Sequence, residues 1–133
     1  MRRQSSKTAA IYRRMKPERS QFLIEFPRCC VCNERSSDGV HEMLGGSCRM
    51  KSFQRRELWL PTCSACNCHR LTDYSEWPLE KQLALKLFVD PLFFSVSAVN
   101  EVASTPGRAI LAVDESDLLL RVREFLLRGR FAA

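Results

Sequence analysis

Two Cys-x-x-Cys pairs, Cys29/Cys32 and Cys63/Cys66, stand thirty residues apart in a chain of 133. No other feature narrows the possible folds as much. A Cys-x-x-Cys turn presents two thiolates to one ion, and a second such turn completes the tetrahedral shell that zinc prefers. The intervening segment is then pinned at both ends. Cys30, Cys48 and Cys68 bring the cysteines to seven, an odd number, and no secretory signal core is visible. The pattern therefore predicts a structural Zn2+ site rather than a disulfide framework. Cys30 or Cys68 can replace a neighbouring ligand, and Cys48 reads as a small buried residue. Neither pair lies in a strand-to-helix context backed by a parallel-sheet pattern, so a thioredoxin-like redox reading is weak.

The pinned segment contains "VHEML", a short strand, then "GGS", which breaks it, and "LWLP", a second strand. Between them "RMKSFQRR" carries Arg49, Lys51, Arg55 and Arg56 without an acid. After the second pair, "YSEWPLEKQLALKLFVDP" reads as a helix opening at Pro78, with Leu79, Leu83 and Leu87 on one side and a stop at Asp90-Pro91. "ASTPG" is a loop. "DESDLLLRVREFLLRG" is the clearest helix, capped by Asp114 and ended by Gly129, with Leu118, Leu119, Val122, Phe125 and Leu126 in one stripe. Before the first pair, "SSKTAAIYRRMK" predicts a helix, and Pro17 predicts a second one that starts there and ends before Pro27.

Charge is distributed unevenly. Residues 1–28 hold eight Lys or Arg and two acids, which accounts for the whole formal charge of +6. A basic N-terminal arm of this kind suits contact with phosphate, with Arg13, Arg14, Arg49, Lys51, Arg55 and Arg56 as candidate nucleic-acid ligands. An Arg-rich transit peptide and an idle solvated arm compete with that reading. No apolar run approaches the roughly 18 residues that span a bilayer, so no membrane partner is expected. The expected division is a basic arm and helix over 1–28, a zinc-stapled domain over 29–91, and a linker with an amphipathic helix over 92–133.

From about Ile11 through Pro91 the chain resembles the zinc-containing HNH nucleases of phages and mobile elements, within the His-Me finger (ββα-metal) superfamily. The residues that carry the resemblance are "VHEMLGGSCR", "LWLPTCSACN" and the later "WP…Q.A.K…DP". It implies an α+β fold: a small ββα-metal hairpin and helix pinned by a four-cysteine zinc site, with flanking helices. It implies a DNA endonuclease of the cytoplasm of a bacterial or phage-infected cell. In that family a strand histidine activates water against a phosphodiester, and one Mg2+ or Mn2+ stabilises the leaving oxygen. The cation is held beside that histidine and by a His or Asn on the helix after the hairpin.

Carried onto this chain, His41 falls on the family's metal position and Glu42 on its base position. The pKa values of the two residue types favour the swapped roles. Adjacent residues of a regular strand face opposite ways, so a shared site for this pair requires a distortion such as a bulge. Asn67 takes the place of the family's histidine after the second pair, and His69 lies two residues on as a substitute. The alternative is a non-catalytic zinc-stapled module. It would hold nucleic acid through the same cations, or bind a protein or a second copy through the C-terminal helix.

Overall fold

The computed structural model describes residues 5–103 and 114–128. The fold is α+β: six α-helices, three short 3-10 turns and a two-stranded antiparallel sheet among the described residues. Helix α1 spans Ser6–Glu25, opened by the Ser5 hydroxyl, which accepts from the Thr8 amide at 3.1 Å. It runs through Pro17 as one helix, where the sequence predicts a break. Proline there removes one backbone donor and costs about 3 kcal/mol in a helix interior. Burial on both sides of it outweighs that cost. Met15 before Pro17 and Phe22 after it are both buried in one cluster with Val40, Phe53 and Trp59.

Strands β1 (Gly39–Glu42) and β2 (Trp59–Thr62) pair in regular register, His41 opposite Leu60 and Glu42 opposite Trp59. Between them Gly46, at φ 61°, takes the left-handed conformation that favours glycine. Helix α2 (Arg49–Phe53) then returns the chain to β2. Trp59 donates its indole N–H to the Ser52 carbonyl at 2.9 Å, tying β2 to α2. Proline at position 61 has no amide for a further strand, and its carbonyl accepts from the Cys30 amide at 2.9 Å. The first cysteine turn thus covers that part of the sheet edge.

Helix α3 (Ser64–His69) follows β2 directly, and α4 (Leu79–Val89) follows a turn. Helix α4 stops at Asp90, before Pro91, as the sequence predicts. Helix α5 (Val96–Ala103) occupies part of the expected linker and buries Val96, Val99 and Val102. Helix α6 (Glu115–Arg128) packs Leu118 and Val122 into the same core as α4 and α5. Most of the "ASTPG" loop and Gly129 lie outside the described residues.

The hairpin therefore separates two cores. Met15, Phe22, Val40, Phe53 and Trp59 fill the α1 side. Leu58, Leu60, Leu71, Trp77, Leu83 and the cysteines fill the other. A buried polar cluster joins α4 to β2 and α1. Lys86, fully buried, donates to the Arg56 and Trp59 carbonyls at 2.7 and 2.9 Å and to Asp90 at 2.8 Å, so all three ammonium protons are matched. Asp90 also accepts from Arg56 at 3.1 Å. Burial raises the Asp90 pKa, but the hydrogen bonds from Arg56 and Lys86 outweigh it and hold the carboxyl below the ordinary range. No helix of the described residues is long and apolar enough to cross a membrane.

Candidate metal centre and the hairpin around it

Cys29, Cys32, Cys63 and Cys66 converge, their sulfur atoms all within 4.8 Å of one another. The first pair sits on a tight turn in which the Asn33 amide donates to the Cys29 carbonyl at 3.0 Å. Asn33 closes the turn at φ 59°, a left-handed conformation that asparagine tolerates better than most residues. Cys63 is the N-cap of α3 and Cys66 lies in its first turn. Four thiolates around zinc at about 2.3 Å stand roughly 3.8 Å apart. Cys32 and Cys63, at 4.0 Å, are already close to that spacing. The cluster can hold a structural metal such as zinc, as the cysteine spacing predicts.

Its thiols are not equivalent. The Glu34 backbone amide, opposed by burial and helped by the Arg35 amide, pulls the Cys32 thiol down to about 6. Burial and the neighbouring Cys63 thiol push Cys66 up to about 12. A cation bound here displaces the protons that the thiols carry. Cys30 is raised by burial, and Cys68 is exposed. Cys48 is buried and donates to the Val102 carbonyl at 3.7 Å, so it serves packing. His69 is exposed at the last position of α3, and four thiols complete the cluster without it.

His41 and Asn67 do meet. His41 Nδ1 lies 2.8 Å from Asn67 Oδ1, so the hairpin and α3 bring these two predicted residues together. The other ring nitrogen, Nε2, lies 2.9 Å from Gln82 Oε1. The Gln82 amide nitrogen donates to the carbonyls of Leu71 and Trp77 at 3.3 and 2.9 Å, which fixes its orientation. Its oxygen must then accept from His41 Nε2–H. A neutral ring offers Asn67 a lone pair at Nδ1, and a protonated ring offers a proton. Asn67 can match either by turning its amide. His41 is only 6% exposed, held on both sides by amides.

Glu42 goes elsewhere. The β1–β2 register is regular, so alternation turns the two neighbours to opposite sides of the sheet. Glu42 accepts from Arg19 at 3.0 Å, both side chains about 15% exposed. Arg19 also donates to the Phe53 carbonyl at 3.2 Å and lies 3.8 Å above the Phe53 ring. Burial lowers the Arg19 pKa, and the charge of Glu42 opposes that. The distortion that would bring His41 and Glu42 to one point is not present. His41 and Glu42 therefore do not form one donor pair for a cation in this arrangement. Both nitrogens of His41 are engaged, and Glu42 belongs to Arg19.

The predicted phosphate ligands divide as well. Arg13, Arg14 and Arg49 are exposed, and Arg14 donates to the Gln54 side chain. Lys51 is exposed on α2. Arg55 pairs with Glu101 at 3.1 Å and Glu57 at 3.7 Å. Arg56 pairs with Glu25 at 2.8 Å and Asp90 at 3.1 Å, and lies 4.0 Å above the Phe93 ring. Arg55 and Arg56 therefore have their charges answered within the protein. Sequence reasoning passed over Arg19 and Gln82. Each leaves a signal: a charged or amide residue at an inward position, between Met15 and Phe22 on α1 and before Leu83 on α4.

No family model, curated protein or solved structure matches this chain.

Proposed function

We propose that the protein is a zinc-stapled nucleic-acid-binding module built on an HNH-like hairpin, in which the hairpin histidine serves the fold. The observation that carries this reading is the division of the polar residues. His41 is buried between two amides, and Glu42 is neutralised by Arg19. Meanwhile Lys7, Arg13, Arg14 and Lys16 stand exposed along α1, with no acid among residues 5–17. Zinc is the metal of the four thiols, and it closes the base of the hairpin. The exposed cations bind phosphate oxygens, which fixes the position of the protein on the strand without reading bases.

The test is affinity for a labelled DNA duplex across a salt series. Binding weakens with salt, and replacing Arg13, Arg14 and Lys16 together by Ala shallows the log–log slope by up to about three. Salt-independent binding, or a slope untouched by the triple substitution, rejects the reading.

A metal-dependent nuclease is the second reading, and the 2.8 Å approach of His41 to Asn67 across the hairpin and α3 favours it. It requires Glu42 to leave Arg19, or another donor to take its place. Cleavage of DNA with magnesium or manganese that disappears in a folded, zinc-loaded His41→Ala protein would establish it over the binding module.

A further inference from the structure

Between α1 and the start of β1 lies a groove of about 310 Å³, lined by Tyr12, Lys16, Arg19, Ser20, Val40 and Phe53 among others. Its walls combine two kinds of group. Tyr12 meets Phe53 edge-on, with ring centres 4.7 Å apart and planes at 83°, so it does not stack flat on its neighbour and is only partly buried. Lys16 stands exposed at the rim, one turn further along α1. Arg19 sits deeper, its position fixed by Glu42 and Phe53. Glu18 lines a different groove, on the other edge of α1 with Arg56 and Phe93. The α1 wall of the Tyr12 groove therefore carries an aromatic ring and a cation one turn apart, facing Val40 and Phe53.

We infer that this groove takes one unstacked nucleotide of a single-stranded nucleic acid, its base against Tyr12 and its phosphate on Lys16. The inference rests on the nucleic-acid reading above and adds a preference to it. A volume of this size lies at the lower end for small-ligand sites and suits a single nucleotide. A duplex keeps its bases stacked and offers the groove only phosphate. A single strand can turn one base out onto an aromatic side chain, a contact indifferent to base identity. The full chain then binds single strands more tightly than duplexes of the same sequence at the same salt.

The experiment measures fluorescence anisotropy of a labelled 12-nucleotide single strand and of its duplex. Tyr12→Ala lowers single-strand affinity about tenfold and leaves duplex affinity in place, whereas Tyr12→Phe keeps both. Ser20→Phe, at an exposed α1 position on the groove, blocks it from outside and gives the same selective loss. It keeps the test valid if Tyr12→Ala unfolds the protein, which a circular dichroism melt reports. Equal affinity for the two substrates, with the Ser20→Phe protein behaving as wild type, overturns the groove. If Arg13→Ala and Arg14→Ala still weaken both substrates, the basic-helix reading survives that result. Absence of binding to either substrate overturns both.

Discussion

The two faces of the hairpin are built from adjacent residues and do different work. One face carries His41 toward α3, α4 and the thiol cluster, and the other carries Glu42 toward α1. On the first, the partners of the strand residue are neutral amides, and the framework beside them is four thiols. On the second, charged groups pair with each other over aromatic rings. A strand of four residues in regular register allows no mixing of the two sets. The lesson is that "HE" in a sequence is two sites when the strand is regular and one only when it is not.

The largest effect that separates the faces is metal removal. Metal binding at such sites is folding free energy, with apparent values of about 10–16 kcal/mol in small zinc domains. A strong chelator, or Cys63→Ser, is expected to unfold the thiol side, whereas Cys48→Ser leaves the metal bound. Trp77 lies in the thiol-side core and Trp59 in the α1-side core, so each is a reporter for one face. In Trp59→Phe and Trp77→Phe proteins, the remaining indole should lose its native emission on chelation in both cases, because the hairpin is common to the two cores. Elemental analysis of a folded, metal-free protein would end the structural-metal assignment. Loss of the Trp77 signal alone would show that the faces unfold separately.

The next effect belongs to the charged cluster. Asp90→Ala leaves Lys86 fully buried with no counter-ion and should cost about 3–5 kcal/mol in urea unfolding. The same group predicts a direction with pH. The folded-state pKa of Asp90 is depressed. Its stabilisation is therefore complete above the unfolded value near 4 and is lost as pH falls through the folded value. Wild type should lose stability on acidification below about pH 4 more steeply than Asp90→Asn. Parallel acid profiles for the two proteins would show that Asp90 is not the group responsible.

Smaller again is the amide pair around His41. Gln82→Leu removes the acceptor of His41 Nε2–H and frees the carbonyls of Leu71 and Trp77, a loss of about 1–3 kcal/mol. If His41 serves the fold alone, Gln82→Leu and His41→Leu lose stability together, and the double variant costs less than their sum. Strict additivity would mean that the contact between them contributes nothing.

How much of this was legible follows from the range of each interaction. The metal cage was readable because Cys-x-x-Cys is a local device and its second copy is unambiguous. The ends of α4 were readable from Pro78 and Asp90-Pro91 for the same reason. The continuity of α1 through Pro17 was not. It depends on Phe22 reaching Trp59 at 5.5 Å and on Met15 sharing that core, contacts between residues far apart in sequence. The partners of His41 and Glu42 were hidden likewise. Gln82 stands 41 residues from His41, and Arg19 stands 23 residues from Glu42. The spacing of apolar residues marks Arg19 and Gln82 as inward, but no periodicity says which polar group each will meet. Helix α5 has Val96, Val99 and Val102 at helical spacing, a signal present but short.

The smallest expected effect tests the comparison most directly. Glu42→Gln keeps the shape of the side chain and removes its charge. Arg19 retains the Phe53 carbonyl and its ring contacts, so only the charge-assisted part of one hydrogen bond is lost. With both partners about 15% exposed, the coupling between Glu42→Gln and Arg19→Met in a double-mutant cycle should be about 1–2 kcal/mol, reduced by added salt. Metal content and the emission of Trp77 should not change, because the thiol side does not touch this pair. Magnesium or manganese provides the decisive comparison. If Glu42 belongs to Arg19, millimolar divalent cation shifts the melting of wild type and Glu42→Gln equally. A cation that stabilises wild type and leaves Glu42→Gln unmoved would mean that the carboxylate can be drawn away from Arg19. The two faces of the hairpin would then be states of one site, and the nuclease reading would take precedence over the binding module.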